Sequence, residues 1–201
     1  MKKDILKLGT SLVLFAASAC VALAMVYTIT APTIAGHEAR QLEESLKDLF
    51  PEADGFKDLN NGVVSPDPAV TFSGAWQATK GDALLGLAIR AVGMSYGGDT
   101  AMLVGVGNDR RLAGIRILTL KDTPGLGANA TSPTYFVDRS SRTTFPGQFT
   151  GKAVTDAFEV KQDVQAISAS TITSKALALI AKRASQAGTQ WLESAAAGGK
   201  Q

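Results

Sequence analysis

The side chains best suited to chemistry stand close together near the C-terminal end of the chain. Ser168-Ala169-Ser170-Thr171-Ile172-Thr173-Ser174-Lys175 holds five hydroxyls in eight positions and no acid. Val164-Gln165-Ala166-Ile167, just before it, reads as a short extended run. Just after it, Leu177, Ile180, Ala184, Ala187 and Trp191 recur at three- and four-residue steps, the pattern of a helix with one buried face. The hydroxyls therefore stand where an extended segment turns into a helix. The first amides of a helix have no acceptor of their own, and the positive end of the dipole lies there, so a phosphate is favoured at such a junction. Ser and Thr are also the ordinary caps of helix starts. The residues alone fit both roles.

A second stretch, Lys121-Asp122-Thr123-Pro124-Gly125-Leu126-Gly127, combines one fixed dihedral at proline with two glycines free to adopt positive φ. Such a backbone can turn tightly and approach a ligand closely, and by composition it is equally a plain loop. Other chemistry is sparse. His37 is the single histidine, which rules out a His-rich metal site. Cys20 is the single cysteine and lies in an apolar run, so there is no internal disulfide, no CxxC pair and no Cys-ligated iron–sulfur cluster. Gly105, Gly107 and Gly114 do not form a G-x-G-x-x-G between a strand and a helix. Redox chemistry in this chain has to come from an organic cofactor. No acid, base or nucleophile for substrate turnover stands out.

The elements that must position these residues follow from charge and periodicity. The formal charge of +2 comes from Lys2, Lys3 and Lys7 against Asp4; the rest of the 201 residues balance. A balanced domain carries no electrostatic footprint for nucleic acid. Residues 8–36 are free of charge, with the most apolar part from Leu8 to about Tyr27, and about 20 apolar residues cross a bilayer. Lysines before the run, and His37, Glu38 and Arg40 after it, predict a helix near Leu8 to Thr30 with the N-terminus in the cytoplasm and the domain outside. A cleaved signal peptide needs a shorter apolar core. A lipoprotein box at Ala17-Ser18-Ala19-Cys20 would leave Val-Ala-Leu-Ala-Met-Val as a soluble linker, which makes no physical sense.

Pro32 is expected to break or kink this helix. Glu38 to Phe50 then reads as an amphipathic helix with Leu42, Leu46 and Leu49 on one face, stopped by Pro51, or as the membrane helix continuing past the kink. Residues 52–69 read as a polar connector with turns at Asn60-Asn61-Gly62 and Pro66-Asp67-Pro68. From Val70 to Thr119 the period changes: the segments around Trp76, Leu84–Val92, Ala101–Val106 and Leu112–Leu118 read as strands, separated by Gly/Asp turns that favour an antiparallel meander. Residues 128–157 read as mostly irregular, with Tyr135, Phe136, Phe145 and Phe149 as core aromatics, and Phe158–Val160 as one more strand. The expected class is α+β: a single N-terminal transmembrane helix, then a mainly antiparallel sheet domain with flanking helices. The expected divisions are 1–31 (cytoplasmic tip and membrane helix), 32–69 (amphipathic helix and connector), 70–195 (the domain) and 196–201 (a flexible tail).

Two of these stretches together resemble the FMN-binding domain family. Asp122-Thr123-Pro124-Gly125-Leu126-Gly127 is similar to that family's Glu-Thr-Pro-Gly-Leu-Gly, and Ser168 to Ala176 is similar to Ser-Gly-Ala-Thr-x-Thr-Ser-x-Ala. Phe145 to Lys152 matches the segment between them. With one N-terminal helix, the layout resembles flavin subunits of ion-translocating electron transport complexes, of the Rnf type or the sodium-pumping NADH:quinone oxidoreductase type. The resemblance implies FMN joined by a flavin transferase to a threonine through a phosphoester; that threonine matches Thr171. It implies Ser168, Ala169, Ser170, Thr173, Ser174, Thr123, Gly125, Leu126 and Gly127 as further cofactor-binding residues, with the loop glycines kept small for the flavin ring. It implies the other membrane subunits of the complex as partners and the cell (inner) membrane as location, with the domain on the periplasmic side. An assembly module of the same fold without flavin is the other function compatible with this layout. The sequence departs from the motif at Ala169 (glycine in the family), Ser170 (alanine), Gln165 (often an acid), Asp122 (glutamate) and Leu120 (often histidine).

Overall fold

A computed structural model of the chain describes residues 2–59 and 62–198. Asn60 and Asn61 of the expected turn, and residues 199–201 of the expected tail, lie outside the described residues. The chain divides into two compact units, Met1–Glu43 and Glu44–Gln201.

The first unit is helical, part of α1 (Lys2–Leu49). Its apolar side chains point outward on every side: Leu8, Leu12, Leu14, Phe15, Leu23 and Ile29 are all exposed. Its hydroxyls bond back into the helix, Thr10 to the carbonyls of Leu6 and Lys7, Ser18 to Phe15, Thr28 to Met25 and Thr30 to Val26. From Leu8 to Gly36 the helix carries no charge, and an all-round apolar surface whose hydroxyls can bond back to the helix suits a bilayer, where no water completes a hydrogen bond. Among the described residues it is the one helix long and apolar enough to cross a membrane. The expectation of a break at Pro32 is corrected: α1 runs through it without interruption. Proline removes one ladder bond and leaves the rest, so the second of the two expected arrangements, a continued helix, holds.

The second unit opens on the last turns of α1. Leu46 and Leu49 are buried, as the expected amphipathic face requires, and the helix ends one residue before Phe50. The domain is then a five-stranded antiparallel meander, β1 (Gly55–Asp58), β2 (Val70–Lys80), β3 (Ala83–Ser95), β4 (Gly98–Gly107) and β5 (Leu112–Thr119), in sequential order. Four of these strands match the expected ones. β1 was expected as connector: it is four residues long and only half apolar, and it is a strand because Gly55 to Asp58 pair with Thr79 to Trp76. A small hairpin follows, β6 (Phe136–Asp138) with β7 (Thr143–Thr144), and the chain ends in α2 (Thr171–Gly198).

Alternation along β3 and β4 gives the sheet two faces. One face carries Leu87, Ile89, Ala91, Met102, Val104 and Val106 into a core shared with Leu177, Ile180, Ala181 and Ala184 of α2 and with Phe145, Phe149 and Phe158. The expected helical stripe is thus buried, with Trp191 partly so. On the opposite face the ring of Phe50 lies over Gly86 and Gly105; a side chain on Gly86 would collide with it, and one on Gly105 would press tightly against it.

One expected strand segment is corrected. Phe158–Val160 is not a strand: Phe158 has φ 53°, and the segment closes on itself through one bridge, Val160 with Val164. Asp163 organises that turn, accepting the amides of Phe158 and Glu159 and an ion pair from Lys152. Val164–Ile167, read from the sequence as an extended run, joins no sheet: Val164 N–H bonds to the Glu159 carbonyl, Gln165 N–H to Gln148 Oε1 and Ile167 N–H to Ser174 Oγ.

Candidate functional site

Ser170 precedes the first residue of α2, Thr171, and its carbonyl accepts the first helical bond, from Ser174 N–H at 3.0 Å. The amides of Thr171, Ile172 and Thr173 come before that bond and have no acceptor within the helix. Ser174 ties the turn together: its Oγ accepts Ile167 N–H at 2.9 Å and donates to the Ser170 carbonyl at 2.9 Å. On the outer side, Ser168 N–H donates to the Tyr135 hydroxyl at 3.0 Å. Ala169 is held at φ 59°. That is the left-handed conformation favoured by glycine, so the loop keeps the backbone that the motif glycine would adopt while carrying a methyl group.

The five hydroxyls meet very different surroundings. Ser170, Thr173 and Ser174 are buried, whereas Ser168 and Thr171 are exposed. The hydroxyl of Thr173, expected to serve the helix start or a phosphate, donates a short hydrogen bond to the Asp122 carboxylate. The other oxygen of Asp122 accepts Ser95 Oγ–H at 2.6 Å and Gly97 N–H at 2.7 Å, and Thr100 Oγ1 donates to Ser95 at 2.9 Å. This carboxylate joins three pieces of chain: the β3–β4 turn, the 121–127 loop and the start of α2. Burial raises the Asp122 pKa, but the donations from Ser95, Thr173 and Gly97 together outweigh it and hold the carboxyl below its usual range. The negative charge is thus already matched by three donors.

Glycine is required where these pieces meet. A Cβ on Gly127 would stand 2.3 Å from Asp122 Oδ2 and 2.7 Å from Thr173 Oγ1, and one on Gly97 would stand 2.3 Å from the Lys121 carbonyl oxygen. Gly127, expected to stay small for a ligand, lines the cleft described below and also leaves room for the Asp122–Thr173 contact. Gly125 has φ 78° and open space around it, so its need is conformational.

Between the loop and the helix start lies a cleft of about 450 Å³, within the range of about 300–1,000 Å³ typical of small-molecule sites. Of the expected cofactor-binding residues, Thr123, Leu126, Gly127, Ala169, Ser170, Thr171 and Thr173 line it, and Ser168, Gly125 and Ser174 do not. Tyr96, Asp122 and Ile172 line it as well. Asp122 belongs to the quoted loop, but nothing in the sequence marks Tyr96, which arrives from a turn about 75 residues before Thr171. A larger hollow of about 730 Å³, lined by Leu49, Phe50, Leu84 and Leu112 among others, contains none of the hydroxyl cluster or the 121–127 loop. The smaller cleft is the one that combines an exposed hydroxyl, unpaired helix amides and an apolar rim. Those features fit FMN: amides for the phosphate, a hydroxyl for attachment and apolar surface for a flat ring.

Comparison with known proteins agrees with both halves of the chain. Residues 95–186 match the FMN-binding domain, and residues 1–49 match the RnfG N-terminal region. A Clostridium ljungdahlii protein, the G subunit of a proton-translocating ferredoxin:NAD(+) oxidoreductase complex, is 31% identical over 77% of this chain and 76% of its own length. The G subunit of the Methanosarcina acetivorans ion-translocating oxidoreductase complex is 28% identical over 87% and 89% of the two chains. Its counterpart in an Acetobacterium woodii Na(+)-translocating ferredoxin:NAD(+) oxidoreductase complex is 28% identical over 87% of each. The cleft-forming segments all fall inside the FMN-binding match and the long apolar helix inside the other, and the chain belongs to the RnfG family of electron transport complex subunits.

Proposed function

We propose that this protein is a membrane-anchored electron carrier whose FMN is esterified through its phosphate to Thr171 Oγ1. The observation that carries this reading is the sorting of the hydroxyls: Thr171 is exposed in the cleft, while Ser170, Thr173 and Ser174 are buried. Thr173, the nearest competitor, has its hydroxyl committed to Asp122. Ser168 is exposed but does not line the cleft. A phosphate on Thr171 lies beside amides that lack a helical acceptor and at the positive end of the dipole.

Bound FMN supplies one- and two-electron redox chemistry; the chain's own residues hold it and leave it reachable. A covalent tether removes the need for a deep, high-affinity nucleotide pocket, and an open cleft suits exchange of electrons between proteins. Maturation then requires a flavin transferase. The partners are the other membrane subunits of the complex. The lysines before the apolar run and the charge-free run itself support an N-terminus in the cytoplasm and the domain on the outer side of the cell membrane.

The test is peptide mass mapping of protein co-expressed with a flavin transferase. Wild type is expected to carry FMN on the peptide containing Thr171. Thr171→Ala removes it from a protein that remains folded and membrane-bound, and Thr173→Ala retains it at Thr171. FMN on another residue of wild type, or on the Thr171→Ala chain, refutes the assignment.

A further inference from the structure

The cleft has a rim that FMN attachment by itself does not explain. Tyr96 from the β3–β4 turn, Leu126 from the 121–127 loop and Ile172 from the first turn of α2 are 69%, 41% and 62% exposed and all line it. Single exposed apolar side chains are ordinary. Three that converge from separate elements on one hollow, beside an exposed threonine, form a surface waiting for something apolar.

Tyr96 differs from the other two. It is the only aromatic residue among the described residues lining the cleft. Its backbone is pinned on both sides: Ser95 Oγ–H and Gly97 N–H both donate to Asp122. Gly97 also packs directly on the Lys121–Asp122 backbone. The turn is therefore fixed to the same carboxylate that fixes Thr173 and the start of α2. A flat phenol ring is presented to solvent from a backbone that is locked in register with the Thr171 junction.

We propose that Tyr96 is the positioning residue for the isoalloxazine ring, which stacks on the phenol face while Leu126 and Ile172 close its edges. The proposal rests on FMN being attached at Thr171. Offset stacking is the preferred geometry for two aromatic planes, and no other residue that lines the cleft carries an aromatic ring. Stacking also has an optical consequence. The Tyr96 phenol would donate one electron to an excited flavin and take it back, which would leave the pair unchanged and quench the fluorescence.

The experiment uses the full chain, co-expressed with a flavin transferase, purified in detergent and checked by mass for FMN at Thr171. Flavin fluorescence decay is compared for wild type, Tyr96→Leu and Tyr96→Trp, with circular dichroism melting as a control for folding. The wild-type decay is expected to be dominated by a strongly shortened component. Tyr96→Leu lengthens the mean lifetime several-fold, and Tyr96→Trp, which keeps an electron-rich ring, stays short. A wild-type lifetime like that of free FMN, or a Tyr96→Leu lifetime unchanged from wild type, overturns the role of Tyr96 while leaving the attachment at Thr171 standing. Absence of FMN from the Thr171 peptide overturns the attachment, and this proposal with it.

Discussion

The run from Leu8 to Ile29 in α1 and the whole of α2 draw on the same residue types, leucine, isoleucine and alanine, and are put to opposite uses. In α1 the apolar side chains cover the entire circumference and stay exposed, Phe15 at 81% and Ile29 at 73%. In α2 they form one stripe, and Leu177, Ile180, Ala181 and Ala184 are all but inaccessible against the sheet. Lys175, Lys182, Arg183 and Glu193 break up the rest of the α2 surface. What separates the two is the distribution of charge around the helix: a stripe asks for a protein core, while an all-round apolar surface asks for lipid.

The comparison breaks first if the two helices respond alike to a small cut. Leu177→Ala is expected to lower domain stability by about 2–5 kcal/mol, as for other buried leucines. Leu14→Ala should leave the same urea transition within about 0.5 kcal/mol, the usual range for positions outside a protein core. Equal losses would mean that α1 packs as a core helix.

A charge sharpens the contrast from the other side. Leu14→Arg is expected to cost about 2.5–3.5 kcal/mol of membrane insertion, read as a shift of protein from the membrane fraction after alkaline extraction. The melting of the solubilised domain should not change. A drop in melting temperature would tie the domain's stability to this stretch of α1.

The start of α2 is held by a carboxylate, which gives it a pH dependence of its own. The folded pKa of Asp122 lies below its ordinary value, so its contribution is complete above the unfolded pKa and is lost as pH falls through the folded one. Asp122→Asn replaces an acceptor with a donor facing Ser95 or Thr173, and should cost about 1.5–3 kcal/mol at pH 7. The gap between wild type and variant should narrow below about pH 4. A gap independent of pH would show that the charge of Asp122 contributes nothing.

The smallest effect is at the turn into α2. Ala169→Gly relieves a left-handed alanine and should stabilise the domain by about 1 kcal/mol, measured by thermal melting, with the flavin yield unchanged or improved. Destabilisation would mean that the methyl group makes contacts worth more than the strain.

The strands from Val70 to Thr119 were legible because their alternation is punctuated by Lys80-Gly81-Asp82, Gly97-Gly98-Asp99 and Gly107-Asn108-Asp109, turns that only a meander needs. β1 was not, since its strand character comes from the free edge of β2 and not from its own residues. Phe158–Val160 misled for the opposite reason: its apolar ends look like a strand, but Asp163 captures two of its amides and turns the chain. Pro32 weakens a helix locally, and a 48-residue helix absorbs one missing bond.

By itself the sequence determined that a charge-free helix precedes a balanced antiparallel domain, because periodicity, charge and turn residues act over a few neighbours, and its resemblance to the FMN-binding domain family singled out the hydroxyl cluster and the Thr-Pro-Gly-Leu-Gly loop as candidates for its chemistry. Only the tertiary structure decided which hydroxyl is exposed. Thr171 and Thr173 are two residues apart and chemically the same. The difference between them is made by Asp122, about 50 residues upstream, which buries one threonine as a hydrogen-bond donor, while the other is left facing the cleft beside Tyr96. Long-range contacts of that kind depend on how the sheet stacks its turns against the helix, and no local pattern records them.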